Sequence, residues 1–61
     1  MPKYVVWTNV TDKKTVDAKD PQEAASRYHE AVGSLPEGWD RALHVRDEHD
    51  EEWTYRRREA A

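Results

Sequence analysis

The residues of this chain that could do chemistry are few, and their spacing limits what they can do. His44, Asp47, His49 and Asp50 offer nitrogen and oxygen ligands to a divalent ion. Their spacing matches neither a His-x-x-x-His helix face nor a calcium loop with alternating acids around a central glycine. His44 falls on a predicted strand and His49 in a predicted turn, so no metal site is expected. His29 lies near the edge of the polar side of a predicted helix and is expected to face water. Ser26 and Ser34 lack a histidine within any nucleophile motif, and the chain has no cysteine. The two glycines, Gly33 and Gly38, cannot make a loop that cradles phosphate. A pocket of enzymatic size is hard to build from 61 residues. The expectation is a protein that is not an enzyme, with no catalytic residue, no metal and no cofactor. If a small molecule binds, the groove between the loop of Trp39 and the helix end is the expected place.

Length and composition narrow the field further. Sixty-one residues make one domain, and a chain this short buries only about 60 % of the surface it exposes when unfolded. Without cysteine, neither disulfides nor a thiolate metal site can make up the difference. A marginal monomer or a homodimer is expected. Charged residues are 38 % of the chain, yet the apolar residues keep a clear period, which argues for a folded domain with a charged surface. A net charge of −3 gives no global pull toward nucleic acid or anionic lipid. Met1-Pro2-Lys3-Tyr4 carries no apolar leader and no run approaches membrane-spanning length, so the cytoplasm is the expected compartment.

The elements that must position any working residue follow from periodicity. Tyr4 to Val10 is rich in β-branched and aromatic residues and predicts a strand over 4–10. Thr11-Asp12-Lys13-Lys14 reads as a polar turn, and Thr15 to Lys19 alternates as a second strand. Asp20 fits a helix N-cap, Pro21 the first helical position, and Glu23 the residue that reaches back to the cap's amide. The helix is predicted over 21–32, with Ala24, Ala25, Tyr28, Ala31 and Val32 on its inner face and Gly33 as its stop. This stretch from Val16 to Ala25 resembles the opening of many small bacterial and phage proteins; capping and packing explain its residues, and it implies no activity. Ser34 to Asp40 is a loop, with Leu35 and Trp39 closing one end of the core. Strands over 41–46 and 52–57 follow, joined by the polar turn Asp47-Glu48-His49-Asp50. The fold predicted is α+β, a two-layer β-β-α-β-β domain whose four-stranded antiparallel sheet carries one helix on one face. Strand order stays open.

One helix covers one face, so the other meets solvent or a partner. Either Tyr4, Val6 and Thr8 point at the helix and Val5 and Trp7 away, or the reverse; a large aromatic reaches the bare side in both. Its predicted neighbours are Ala42, His44, Arg46, Thr54 and Arg56. Such a surface can be a half-buried tryptophan shielded by arginine stems, a self-association face, or a platform for single-stranded nucleic acid. The acidic run Asp47 to Glu52 and the basic run Arg56-Arg57-Arg58 would lie at opposite ends of one hairpin. The function expected is a small binding module of the bacterial or phage accessory kind, working through Val5, Trp7, His44, Arg46 and Arg56 on a protein partner or a second copy of itself. The alternative is single-stranded nucleic-acid binding on the same face with Arg57 and Arg58, which the net negative charge disfavours.

Overall fold

The computed structural model describes residues 2–33 and 35–56. They form β1 (Lys3–Thr8), β2 (Thr11–Asp17), α1 (Pro21–Val32), β3 (Ala42–Arg46) and β4 (Glu52–Arg56). The four strands make one antiparallel sheet in the order β2-β1-β3-β4, and α1 packs on one side of it. The predicted α+β architecture is therefore present, and the open question of strand order is answered: β1 and β3 lie in the middle. Those two strands carry Val6, Leu43 and Val45, the largest side chains that are fully buried. The sheet places its most apolar strands where both edges are paired.

Several strand boundaries depart from the sequence reading. Strand β1 ends at Thr8, not Val10, and β2 begins at Thr11, four residues earlier than expected. The reversal takes only Asn9 and Val10, so Thr8 pairs with Thr11 and the polar run Thr11 to Lys14 is strand. An edge strand with mostly exposed residues tolerates lysine and aspartate, which is why composition misplaced the turn. Strand β2 also ends at Asp17, but the next amide, that of Ala18, still donates to the Pro2 carbonyl at 3.1 Å. Strand β3 begins at Ala42, one residue later than predicted, and the predicted end of β4 at residue 57 lies outside the described residues.

Helix α1 starts as its sequence requires. Asp20 holds an extended backbone, and its carboxylate accepts from the Glu23 amide at 2.7 Å. Glu23 returns the bond one residue further back than a simple capping box, accepting from the amide of Lys19 at 3.1 Å. Gly33 ends the helix at φ 75°, with its N–H donating to the His29 carbonyl. Ala24, Ala25 and Tyr28 are buried and Val32 is partly so, whereas Ala31 is exposed. Two small residues in the buried stripe let the helix approach the sheet, and Tyr28 fills the volume they leave.

Tyr28 also anchors the only buried polar cluster among the described residues. Its hydroxyl donates to Thr11 Oγ1, which lies 2.7 Å from Thr8 Oγ1. Thr11 Oγ1 and Thr8 Oγ1 further accept from the amides of Thr8 and Val10, each at 3.2 Å. At the same end, Trp39 packs against the core and its indole N–H donates to the Ala42 carbonyl at 3.2 Å. Asn9 ties this loop to the β1–β2 turn: its Nδ2 donates to the Gly38 carbonyl and its Oδ1 accepts from the Asp40 amide. His29 is half-buried against Trp39, with ring centroids 5.6 Å apart, and so does not simply face water.

Two measurements check this account. Asp20→Ala removes the cap and should lower unfolding free energy by about 1 kcal/mol in a denaturant titration; an unchanged midpoint would contradict the capping assignment. Burial, reinforced by the negative charges of Asp47 and Asp20, raises the Tyr4 phenol above its ordinary value of 10.0. Burial and Asp20 likewise raise Tyr55. The folded chain holds these protons more tightly than the unfolded one, so their contribution is complete below about pH 10 and is lost as pH rises through the folded values. Melting temperature should decline across that alkaline window, and Tyr55→Phe should soften the decline. Spectrophotometric titration in which Tyr4 and Tyr55 of the native protein ionise with free tyrosine would refute it.

Candidate functional site

The alternation of β1 settles which side chains lie bare. Tyr4, Val6 and Thr8 are buried toward the helix, so Val5 and Trp7 stand on the helix-free face, each half-buried. The pairing then fixes their neighbours. Val5 lies opposite Arg46 and Trp7 opposite His44 on β3; His44 lies opposite Thr54, Arg46 opposite Glu52, and Ala42 opposite Arg56 on β4. The structure thus brings Val5, Trp7, His44 and Arg46 together at the centre of that face. Arg56 is on the same face by register, but at the outer strand. Arg57 and Arg58 lie outside the described residues.

Trp7 is the hub. The His44 ring stacks on it at a centroid distance of 5.5 Å and an interplanar angle of 23°. Lys13 Nζ stands 5.1 Å from its ring centroid and the Arg46 guanidinium 5.7 Å, both within cation–π range. Three groups therefore share the π surface of one indole. His44 Nδ1 lies 3.3 Å from Thr54 Oγ1, which steadies the imidazole from the next strand. Arg46 donates from Nε at 3.0 Å, and from a second guanidinium nitrogen, to the same Glu52 oxygen. That hydrogen bond, with the charge of Glu52, raises the arginine's pKa above its ordinary value.

The charge of this face differs from that of the chain. Register and contact place Lys3, Lys13, Arg46 and Arg56 on it, against Asp12, Asp17 and Glu52. Asp17 lies near Lys3 and Glu52 holds Arg46. Lys13 and Arg56 have no carboxylate within 4 Å among the described residues. An acidic protein thus presents a basic, aromatic-centred patch. Sequence reasoning missed Lys13 because it placed that residue in a turn; a reversal at Asn9 and Val10 would have found it. It missed Glu52 and Thr54 as partners because strand register was not yet known.

Elsewhere the chemistry-bearing residues stay apart. No group of three or more His, Asp or Glu side chains converges to hold an ion among the described residues. In the β3–β4 turn, the Asp47 carboxylate accepts from the amides of His49 at 2.8 Å and Glu51 at 2.9 Å, so that acid organises its own loop. Between the Trp39 loop and the helix end, the His29 ring lies tilted at 38° to the Trp39 ring. Among the described residues, one cleft of about 130 Å³ lies toward the first turns of α1, lined by Gln22, Ala25, Ser26, Leu43, Tyr55 and Arg56. That is below the usual volume of a small-molecule site. A second, more open depression of about 410 Å³ is lined by Lys19, Asp20, Gln22, Glu23 and Ser26. No described helix is long and apolar enough to cross a membrane. Comparison with protein-family models, with curated proteins and with solved structures finds no match to this chain.

The half-burial of Trp7 gives a stability prediction. Trp7→Ala removes a side chain that water already reaches, and should cost about 1 kcal/mol, near half the value for full burial. Leu43→Ala, at a fully buried position, should cost about 3 kcal/mol. Urea unfolding of the two variants checks the ranking; equal losses would place Trp7 in the core.

Proposed function

We propose that this chain is a small, non-enzymatic binding module whose helix-free sheet face docks a protein partner with an acidic surface. The observation that carries the reading is Trp7, half-exposed at the centre of a basic face on a chain of net charge −3. A partly buried aromatic ringed by cations has the composition of an interface anchor, where tryptophan and arginine supply most of the binding energy. Lys13 and Arg56 are the cations left to meet acids on the partner. Charge complementarity of this kind speeds encounter and weakens with salt.

A second reading, single-stranded nucleic acid, draws support from the same cations and from the tryptophan. It is weakened by the occupancy of the indole: His44, Lys13 and Arg46 already lie against the ring that a base would have to stack on.

The experiment uses the isotopically labelled chain titrated with a glutamate-rich peptide and, separately, with a single-stranded oligonucleotide. The protein reading expects shifts confined to the Trp7 indole, Val5, His44 and Arg46 with the peptide, abolished in Trp7→Ala combined with Lys13→Glu. Shifts at those residues with the oligonucleotide alone would favour the second reading. Shifts that spread over the helix, or none with either probe, would overturn the face as a docking surface.

A further inference from the structure

The strand order leaves two edges, and they differ. Strand β2 is bulged: between the pairs Val6–Lys14 and Thr8–Thr11, two residues oppose one. With its bulge, two lysines and two aspartates, it is defended against pairing. Strand β4, Glu52-Trp53-Thr54-Tyr55-Arg56, pairs regularly with β3 and has neither bulge nor proline. Its outer backbone groups have no strand partner among the described residues.

The phase of the ladder says which groups those are. The Asp47 amide donates to the Glu51 carbonyl at 2.9 Å, so in this hairpin Glu51, and by alternation Trp53 and Tyr55, turn their backbone groups toward β3. Glu52, Thr54 and Arg56 turn theirs outward. A two-fold axis through Thr54 satisfies all of them. It sets Thr54 opposite its own copy and Glu52 opposite Arg56 of the second chain, each pair exchanging two backbone hydrogen bonds.

The side chains obey the same symmetry. On the helix-free face Arg56, which has no carboxylate within its own chain among the described residues, would meet the Glu52 of the other copy. Both Arg46 contacts go to one oxygen of Glu52, leaving the second oxygen for that arginine. On the helix side Trp53 would lie opposite Tyr55 of the second copy, at a position without backbone hydrogen bonds, where side chains approach most closely. Both aromatics are half-exposed at this edge. The sequence carries the antisymmetry outward: the second, third and fourth residues before Thr54 are Glu52, Glu51 and Asp50, and those after it are Arg56, Arg57 and Arg58. A slip of one residue would put each side chain on the wrong face and lose the charge match.

We infer that two copies of this chain pair antiparallel through β4, centred on Thr54, to make one eight-stranded sheet with both helices on the same side. The pairing does not rest on the docking reading above, since the surface used is the sheet edge; of the docking face it engages Arg56 and Glu52, and leaves Lys13 beside Trp7 for an acidic partner. Its effect is to join two basic faces into one.

Sedimentation of the full chain over a concentration series tests it. The wild type should dimerise. Thr54→Pro removes an outward amide that no intrachain bond uses and should give a folded monomer by circular dichroism. Arg56→Glu and Glu52→Arg should each weaken the dimer about tenfold or more, and an equimolar mixture of those two variants should recover it, because each supplies the charge the other lacks. Trp7→Ala should leave the dimer intact, which separates this interface from the docking face. A wild type still monomeric at about 1 mM overturns the inference. So does a dimer that survives Thr54→Pro, or a mixture that fails to recover what the single charge variants lose.

Discussion

One helix of twelve residues, Pro21–Val32, cannot cover both sides of a four-stranded sheet, and the rest of the molecule is arranged around that limit. Strand side chains alternate, so every inward residue commits its neighbours to the other side. The chain concentrates its large apolar residues on the covered side: Tyr4, Val6, Leu43 and Val45 buried, with Val16, Trp53 and Tyr55 against them. What it leaves on the bare side is neither a second core nor a purely polar surface. Val5 and Trp7 lie there on the central strand, and long charged side chains lean over the indole.

That arrangement has an electrostatic consequence. Carboxylates outnumber cations by three in the sequence, yet the strand positions facing away from the helix favour cations. Much of the acid lies elsewhere, in the Asp47–Glu51 turn and around the start of α1, where Asp20 and Glu23 bind free amides. Acids employed as caps and turn staples are fixed by local backbone needs. Lys13, over Trp7, has no such task and no carboxylate within 4 Å among the described residues, and it is a group a partner can engage.

Much of this was legible before the fold was known. The Asp20–Pro21–Glu23 start and the Gly33 stop bounded the helix correctly, because capping is a local interaction between residues a few positions apart. The inward set of β3 and β4 was likewise legible from alternation. Two things were not. Strand order depends on which apolar strands gain most from pairing at both edges, a property of the whole sheet. The site's finer composition, with Lys13 over Trp7 and Glu52 on Arg46, depends on register, which a misplaced turn shifts along an entire strand. The role of Asn9 in bracing the Gly38–Asp40 loop was also hidden, since its partners lie some thirty residues away in sequence.

The β2 bulge joins the two sides of the sheet. Continued in strict register from the Val6–Lys14 pair, β2 would set Asp12 opposite Thr8 and turn a carboxylate inward. The extra residue puts Thr11 there instead, and its hydroxyl meets Thr8 and Tyr28, closing a polar cluster beneath the helix. The same insertion leaves Lys13 beside Trp7, with its ammonium over the ring on the bare side. A single irregularity in an edge strand thus satisfies the Tyr28 hydroxyl within and supplies a cation to the exposed tryptophan without. Stability and the character of the open face are set by the same residue count between Thr8 and Lys14, so a deletion there cannot alter one and spare the other.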